Sequence, residues 1–257
     1  MTRHDSAIAA PHGEPVLFGA AQRYAMLYLP AGAPRARVLL VPPLFEEKRC
    51  AHRALTTCAR ALAQAGAAVL VPDLAGTGNS GGTPAEIRLQ DWLDDLRDAE
   101  AYLREHADAP SRLIALRAGV LPVLQAGLAM ERVLLWQPVL SGKSYLRQLR
   151  TRRMIQDAVT GEAPPVGPHE VEGQELSPVF FAELEALSLP EAPPPGDLRL
   201  LQCSFNTNLL TEYTRLVARW GEEKVKTRCL VAEPCWNAHT PGRYTNLAAA
   251  VVEEALC

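Results

Sequence analysis

The order of short apolar runs and amphipathic stretches constrains the fold of this chain more than any single residue does. Runs of strand length alternate with segments of helical periodicity along most of its 257 residues. The first half carries apolar runs at 37–41, 68–72, 112–116 and 133–136, with helical patterns at 51–65, about 83–106 and 119–128. This alternation is typical of an α/β domain with a mostly parallel sheet and helices on both faces.

Both ends of the chain extend the pattern, and one long segment interrupts it. Strands are predicted at 16–18 and 24–29, as a hairpin that turns near 19–22, and later elements at 198–202, 209–220, 227–231 and 244–256. The sheet then has eight strands. Residues 138–196 are rich in proline and charge, with helical pieces at 145–159 and 178–187. This segment is too long for a loop, so we predict a core of 1–137 and 197–257 with a lid inserted after the sixth strand.

Composition excludes several classes of protein. The chain is 48% hydrophobic, its net charge is −3 and its pI is about 6.1, so it can bury a sizeable core and gives no reason to expect nucleic acid as a partner. No secretory signal and no membrane-spanning apolar run is present. The six cysteines are scattered without a C-x-x-C pair, which argues against a zinc site and a disulfide framework. We expect a cytoplasmic protein without metal or cofactor.

The junction after the run at 112–116 has the context of a nucleophile elbow, normally G-x-S-x-G between a strand and a helix. Here Ala115 replaces the first glycine, Arg117 replaces the serine, and Gly119 is kept. Arginine cannot act as the nucleophile because its guanidinium stays protonated. The alternative interpretation is an ordinary strand–helix junction with an exposed arginine.

The other positions of a serine triad are filled unevenly. The turn after the third strand, where an oxyanion loop would lie, carries Glu46 and Glu47. Either acid could pair with Arg117; alternatively both only complement the dipole of the following helix. No acid follows the seventh strand, but His239 follows the last one. Arg117, Glu46, Glu47 and His239 are therefore the candidate catalytic residues. A thiol nucleophile, Cys235 or Cys203 acting with His239, is a further alternative.

Two other segments have a functional and a structural interpretation each. Residues 76–81 match G-x-G-x-x-G, but the helical pattern resumes several residues later than a dinucleotide site requires, and the same residues resemble the D-x-x-G-x-G-x-S turn of many α/β-hydrolases. Lys143 and Arg147 begin a basic run that also holds Arg150, Arg152 and Arg153. Such a run is usually a solvated helix face, but beneath a lid it would favour an anionic ligand.

These residues together carry a family resemblance. The sequence resembles the second of the two hydrolase families associated with the bacterial exosortase A system, within the α/β-hydrolase superfamily. The shared stretches are Val41-Pro42-Pro43, Phe45-Glu46-Glu47, Asp73 with Gly76-Thr77-Gly78 and Ser80, Trp92-Leu93-Asp94-Asp95, Leu116-Arg117-Ala118-Gly119, Leu135-Trp136-Gln137-Pro138-Val139, Ser141-Gly142-Lys143, Tyr145-Leu146, Glu175-Leu176-Ser177-Pro178 and Glu233-Pro234-Cys235-Trp236. The chain departs from that family at Leu44-Phe45-Glu46-Glu47-Lys48 and at Cys235.

The resemblance implies an α/β-hydrolase fold, an L-R-x-G elbow as a family feature, and a context of exopolysaccharide production and protein sorting. Two functions follow. The chain is a hydrolase of ester, thioester or acyl bonds that lacks the serine nucleophile, or it is a non-catalytic protein that holds a small anionic or acyl-containing ligand. Candidate ligand-binding residues are Lys143, Arg147, Trp136, Gln137 and Trp236. Fold analogy alone does not choose between the two functions.

Overall fold

The computed structural model describes residues 11–161, 167–237 and 244–257, without the side chains of Gln156 and Thr160. An eight-stranded sheet runs through it in the order β1-β2-β4-β3-β5-β6-β9-β10. Its strands are β1 (Gly13–Phe18), β2 (Arg23–Tyr28), β3 (Ala36–Val41), β4 (Ala67–Pro72), β5 (Ser111–Leu116), β6 (Arg132–Trp136), β9 (Asp197–Ser204) and β10 (Val225–Val231). The hairpin β1–β2 and the pair β2–β4 are antiparallel; the other pairs are parallel. The predicted fold class, a mostly parallel eight-stranded α/β-hydrolase sheet, is confirmed.

Helices cover both faces of the sheet and divide the core into two layers. The helices are α1 (Glu46–Gln64), α2 (Leu89–His106), α3 (Val120–Ala126), α4 (Gly142–Thr160), α5 (Pro178–Ala186), α6 (Thr211–Trp220) and α7 (Thr245–Leu256). One apolar layer lies under α1 and α7. The other lies under α2, α3, α4, α5 and α6. Because both faces of the central strands are buried, those strands are continuous apolar runs without alternation.

Two helix starts differ from the sequence-based prediction by five residues or more. Helix α1 begins at Glu46, five residues earlier than predicted, so both acids lie in its first turn. Helix α2 begins at Leu89, although the capping pattern at Thr83 predicted an earlier start. Thr83 and Glu86 do close one turn, but the Glu183 carboxylate accepts hydrogen bonds from the Arg88 side chain and the Leu89 amide. This contact sets the start of α2 at Leu89, because the Leu89 amide has no acceptor within the helix and Glu183 supplies one.

The segment between β6 and β9 holds α4, a short hairpin of β7 (Glu170–Val171) and β8 (Gln174–Glu175), and α5. An antiparallel bridge between Ser141 and Ser188 joins its two ends. Helix α5 packs against α4 and α2. The Ser177 amide donates to the Pro84 carbonyl, which ties the segment to the loop after β4. The insertion therefore lies over the carboxyl edge of the sheet.

Candidate functional site

The turn after β5 keeps the strained backbone of a nucleophile elbow. Arg117 has φ 54°, a left-handed conformation that costs a non-glycine residue energy and occurs at functional turns. A 3₁₀ turn over Arg117–Gly119 then leads into α3. Gly119 permits the close approach of the turn to the third strand, since any Cβ there would overlap the Pro42 carbonyl oxygen. The turn is therefore sharp and closely packed, and it holds Arg117 at its left-handed position.

The Arg117 side chain is held by Glu47. Its Nη2 and Nε donate to the two carboxylate oxygens at 3.1 and 3.3 Å. The Glu47 side chain is 2% exposed and that of Arg117 is 14% exposed. Trp236 covers the pair, with its ring centroid 5.2 Å from the guanidinium carbon. The two charges therefore compensate each other inside the protein, in a fork geometry that suits arginine and carboxylate.

The insertion contributes further partners to this carboxylate. The Tyr145 hydroxyl, buried on α4, lies 3.3 Å from Glu47 Oε2 and 3.2 Å from the Leu44 carbonyl oxygen. Arg152 lies 3.9 Å from Glu47 and forms an ion pair with Glu172. Tyr145 was not among the predicted site residues. Its place as the first large apolar residue of the amphipathic α4 indicates burial, but nothing in the sequence pairs it with Glu47.

The surroundings of Arg117 and Tyr145 raise the pKa values of both side chains. Burial lowers the pKa of the Arg117 guanidinium, but the Glu47 charge and its hydrogen bonds outweigh burial and raise that pKa above its ordinary value. Burial, together with the Glu47 charge, raises the pKa of Tyr145 well above its ordinary value. Arg117 is therefore a fixed cation and Tyr145 a neutral hydrogen-bond donor. Neither group offers a nucleophile at neutral pH.

Of the other predicted site residues that the structure describes, Trp236 contacts this cluster and the rest lie outside it. Glu46 turns outward and pairs with Arg49, because one helical step rotates its side chain about 100° away from the stripe that holds Glu47. Lys143 and Arg147 are on the exposed face of α4. Trp136 is fully buried beneath α7, so its place is the core and not a ligand wall.

Gln137 has a structural position as well. Its side-chain oxygen accepts a hydrogen bond from the Cys203 backbone amide at 2.7 Å. Its backbone amide donates to the Leu201 carbonyl, also at 2.7 Å. The side chain thus extends the pairing of β6 with β9 past the end of the strand. The side-chain oxygen and the backbone amide of Gln137 are therefore used within the sheet.

The two thiols considered as nucleophiles are buried. Burial raises the pKa of Cys203 to about 11, with a smaller opposing effect from the Trp136 indole, and it raises the pKa of Cys235 further still. A thiolate is the reactive form, so both thiols are poor nucleophiles in the folded chain. The proposed base, His239, lies outside the described residues.

The glycine-rich loop after β4 is a self-contained turn. Gly76 and Gly78 have φ 67° and 55°, and the Gly76 amide donates to the Gly81 carbonyl. No helix opens at these glycines, since α2 begins only at Leu89, so the arrangement that a dinucleotide site requires is not formed. Asp73 instead accepts from Lys48, with Nζ to Oδ1 2.6 Å.

A cavity of about 760 Å³ lies beside that loop, over β2 and β4 and against α1. Among its lining residues are Phe45, Lys48, Asp73, Thr77, Trp92 and Phe180, and Arg117 is not one of them. Lys48 Nζ also donates to Thr77 Oγ1 at 2.9 Å, and burial lowers the pKa of Lys48 although Asp73 opposes that effect. The sequence analysis missed this site because neither Lys48 nor Asp73 carries a recognisable catalytic spacing.

The described residues contain neither a metal-binding group nor a helix that could span a membrane. Within residues 11–161, 167–237 and 244–257, no three His, Cys, Asp or Glu side chains come together as a metal-binding group. Over the same residues, every helix falls short of the length and hydropathy that crossing a bilayer requires.

Comparison with solved structures identifies the fold. Est1E from Butyrivibrio proteoclasticus, with ferulic acid bound, aligns over 93% of this chain and 97% of its own at 14% identity and a TM-score of 0.64. The esterase domain of a Rhodothermus marinus protein aligns over 94% and 95% at 21% identity and 0.63. An α/β serine hydrolase homologue from Coxiella burnetii aligns over 96% and 99% at 14% identity and 0.59. No protein-family model and no curated protein matches the chain. At these identities the likeness is one of fold: the chain has the α/β-hydrolase fold.

Proposed function

We propose that this α/β-hydrolase-fold chain is a ligand-binding protein and not a hydrolase that uses a nucleophile at the elbow. One observation carries the proposal: the elbow position holds a guanidinium clamped by the buried Glu47. In an esterase that position presents a hydroxyl activated by a base. A paired arginine supplies no lone pair for attack, and the pair fills the space beside the turn.

The loop that would form an oxyanion hole supports the same proposal. In hydrolases this loop donates backbone amides to a developing negative charge. Here the loop leads into the first turn of α1, which carries the two acids Glu46 and Glu47, and the buried Glu47 binds Arg117 beside the elbow. The Arg117 guanidinium is therefore bound to an internal carboxylate, which competes with a developing oxyanion for the same cation.

A hydrolysis screen tests the proposal. The purified chain is incubated with p-nitrophenyl esters of increasing chain length and with acyl-coenzyme A thioesters, and separately with a fluorophosphonate probe that labels activated serines. We expect turnover equal to buffer and no labelling. Turnover well above buffer in the wild type would contradict the proposal.

A hydrolase with a nonstandard site is the second candidate. The strained φ at Arg117 and the close approach at Gly119 favour it, because these features position a nucleophile in enzymes of this fold. Its proposed base is His239. If the screen finds turnover, the variant His239→Ala should abolish it; full activity in that variant would remove this base from the mechanism.

We also propose a lid for this chain and a cellular role. Residues 138–196 act as a lid, which is supported by the position of α4 and α5 over the carboxyl edge of the sheet. The resemblance to exosortase A-associated hydrolases suggests a cytoplasmic role in exopolysaccharide production or protein sorting. A deletion strain with unchanged exopolysaccharide and unchanged sorting would remove that context while leaving the binding function open.

A further inference from the structure

The cavity over β2 and β4 is a groove with one charged rim and an apolar floor. We infer that it binds an elongated amphiphile with a single anionic head, of the class of long-chain carboxylates. The inference rests on the proposed binding function and names its ligand. It places the ligand beside α1, in a cavity that Arg117 does not line.

The shape of the groove follows from α1. Arg49, His52, Thr56 and Arg60 all line it, and their spacing of three or four residues places them on one face of the helix. From the first to the last of them the helix rises about 16 Å. A wall of that length selects an extended ligand. The volume of about 760 Å³ lies within the roughly 300–1,000 Å³ of sites that enclose small molecules.

The floor of the groove is apolar along its length. Tyr24, Met26 and Tyr28 alternate on β2, so their side chains share one face of the sheet. Val71 lies beside Met26 on the neighbouring strand. The end beyond the loop after β4 is closed by Ile87, Trp92 and Phe180. An alkyl chain gains free energy by covering such a surface, up to about fourfold in affinity for each methylene buried.

The charges of the groove give the ligand a direction. Lys48, near the middle, is neutralised by Asp73. Arg49 is paired with Glu46. Arg60 is exposed at the other end, and no salt bridge to it occurs among the described residues. An anionic head therefore pairs best with Arg60, while the chain runs toward Trp92 and Phe180.

A matched pair of probes tests the charge of the head. Binding of tetradecanoate and of tetradecanol is measured by titration calorimetry and by the intrinsic tryptophan fluorescence, to which Trp92 in the groove contributes. We expect Arg60→Ala to weaken tetradecanoate about tenfold and to leave tetradecanol unchanged, since only the acid makes the charged contact. Arg53→Ala is the control, because Arg53 is exposed on the same helix but does not line the groove. Equal effects of both variants, or no binding of either probe, would overturn the inference.

A second pair of variants tests the location. Thr56→Trp fills the groove, whereas Thr57→Trp places the same bulk on the neighbouring position outside it. Thermal unfolding checks that both variants fold. We expect Thr56→Trp alone to reduce tetradecanoate affinity at least tenfold; unchanged affinity would place the ligand elsewhere and overturn the inference. Ester turnover in the wild type would contradict the proposed function without touching these binding results, so the two failures are distinguishable.

Discussion

Glu47→Gln is the variant that most directly tests the ion pair at the elbow. The substitution keeps the size and shape of the side chain and removes only its charge. It leaves the guanidinium of Arg117, 14% exposed, without a compensating anion. It also weakens the contacts of Tyr145 and Arg152, which share the same carboxylate.

The size of the effect follows from burial. Removing one partner of a buried ion pair costs about 3–5 kcal/mol, because the remaining charge stays desolvated. For a chain of this size that loss corresponds to a fall in Tm of roughly 10 °C. Replacing both partners with methionine should restore most of the stability, since an apolar pair of similar volume avoids the desolvation of two charges.

The assay is thermal and urea unfolding, followed by circular dichroism, of the wild type, Glu47→Gln, Arg117→Met and the double variant Glu47→Met/Arg117→Met. Glu46→Gln is the matched control: it lies one residue away, and its pair with Arg49 is solvent-exposed and screened, so its loss should shift Tm little. The reasoning is refuted if Glu47→Gln costs no more than Glu46→Gln. It is also refuted if the double variant is as unstable as the sum of the single ones.

Three further predictions concern the turn, the insertion and the thiols. Gly119→Ala should cost about 1–3 kcal/mol in urea unfolding, because the new methyl overlaps a backbone carbonyl that must move; an unchanged midpoint would contradict the close approach. The Arg88 hydrogen bond lowers the pKa of Glu183, so the anchoring of α5 should be complete above the ordinary pKa of 4.5 and be lost as the pH falls through the lower folded value. Hydrogen exchange should show α5 losing protection on acidification in the wild type, and already unprotected at neutral pH in Glu183→Gln. Ellman's reagent at pH 8 should modify Cys203 only after unfolding, because its thiol is buried.

The sequence by itself determined the order of elements and the type of fold. The mostly apolar runs of strand length become strands buried on both faces. Each is bounded by polar or glycine-rich turns, so the local sequence determines its position. The elbow was located in the same way: a strand, one turn and a helix with Gly119 retained. That Arg117 is no nucleophile follows from the chemistry of its guanidinium and needed no structure.

Tertiary structure decided which acid forms the ion pair with Arg117. The prediction began α1 at Ala51, whereas the helix begins at Glu46. With that start Glu47 lies one turn before Ala51, on the buried stripe, and Glu46 faces solvent. A helix start depends on contacts made elsewhere, here the Glu46 amide donating to Glu172 of the insertion, 126 residues away. Such a contact has no trace in local periodicity.

Where the predicted ligand-binding residues lie also depends on the tertiary structure. Whether Lys143 or Trp136 faces a cavity depends on how distant segments pack, and the structure places one in solvent and the other in the core. The groove along α1 is formed by residues from β2, α1, the loop after β4 and α5, whose separations in sequence carry no pattern. Sequence fixes the chemistry available at each position, since that is a property of the residue. Only the folded chain decides which of those groups meet, because distance in space is set by the packing of the whole sheet.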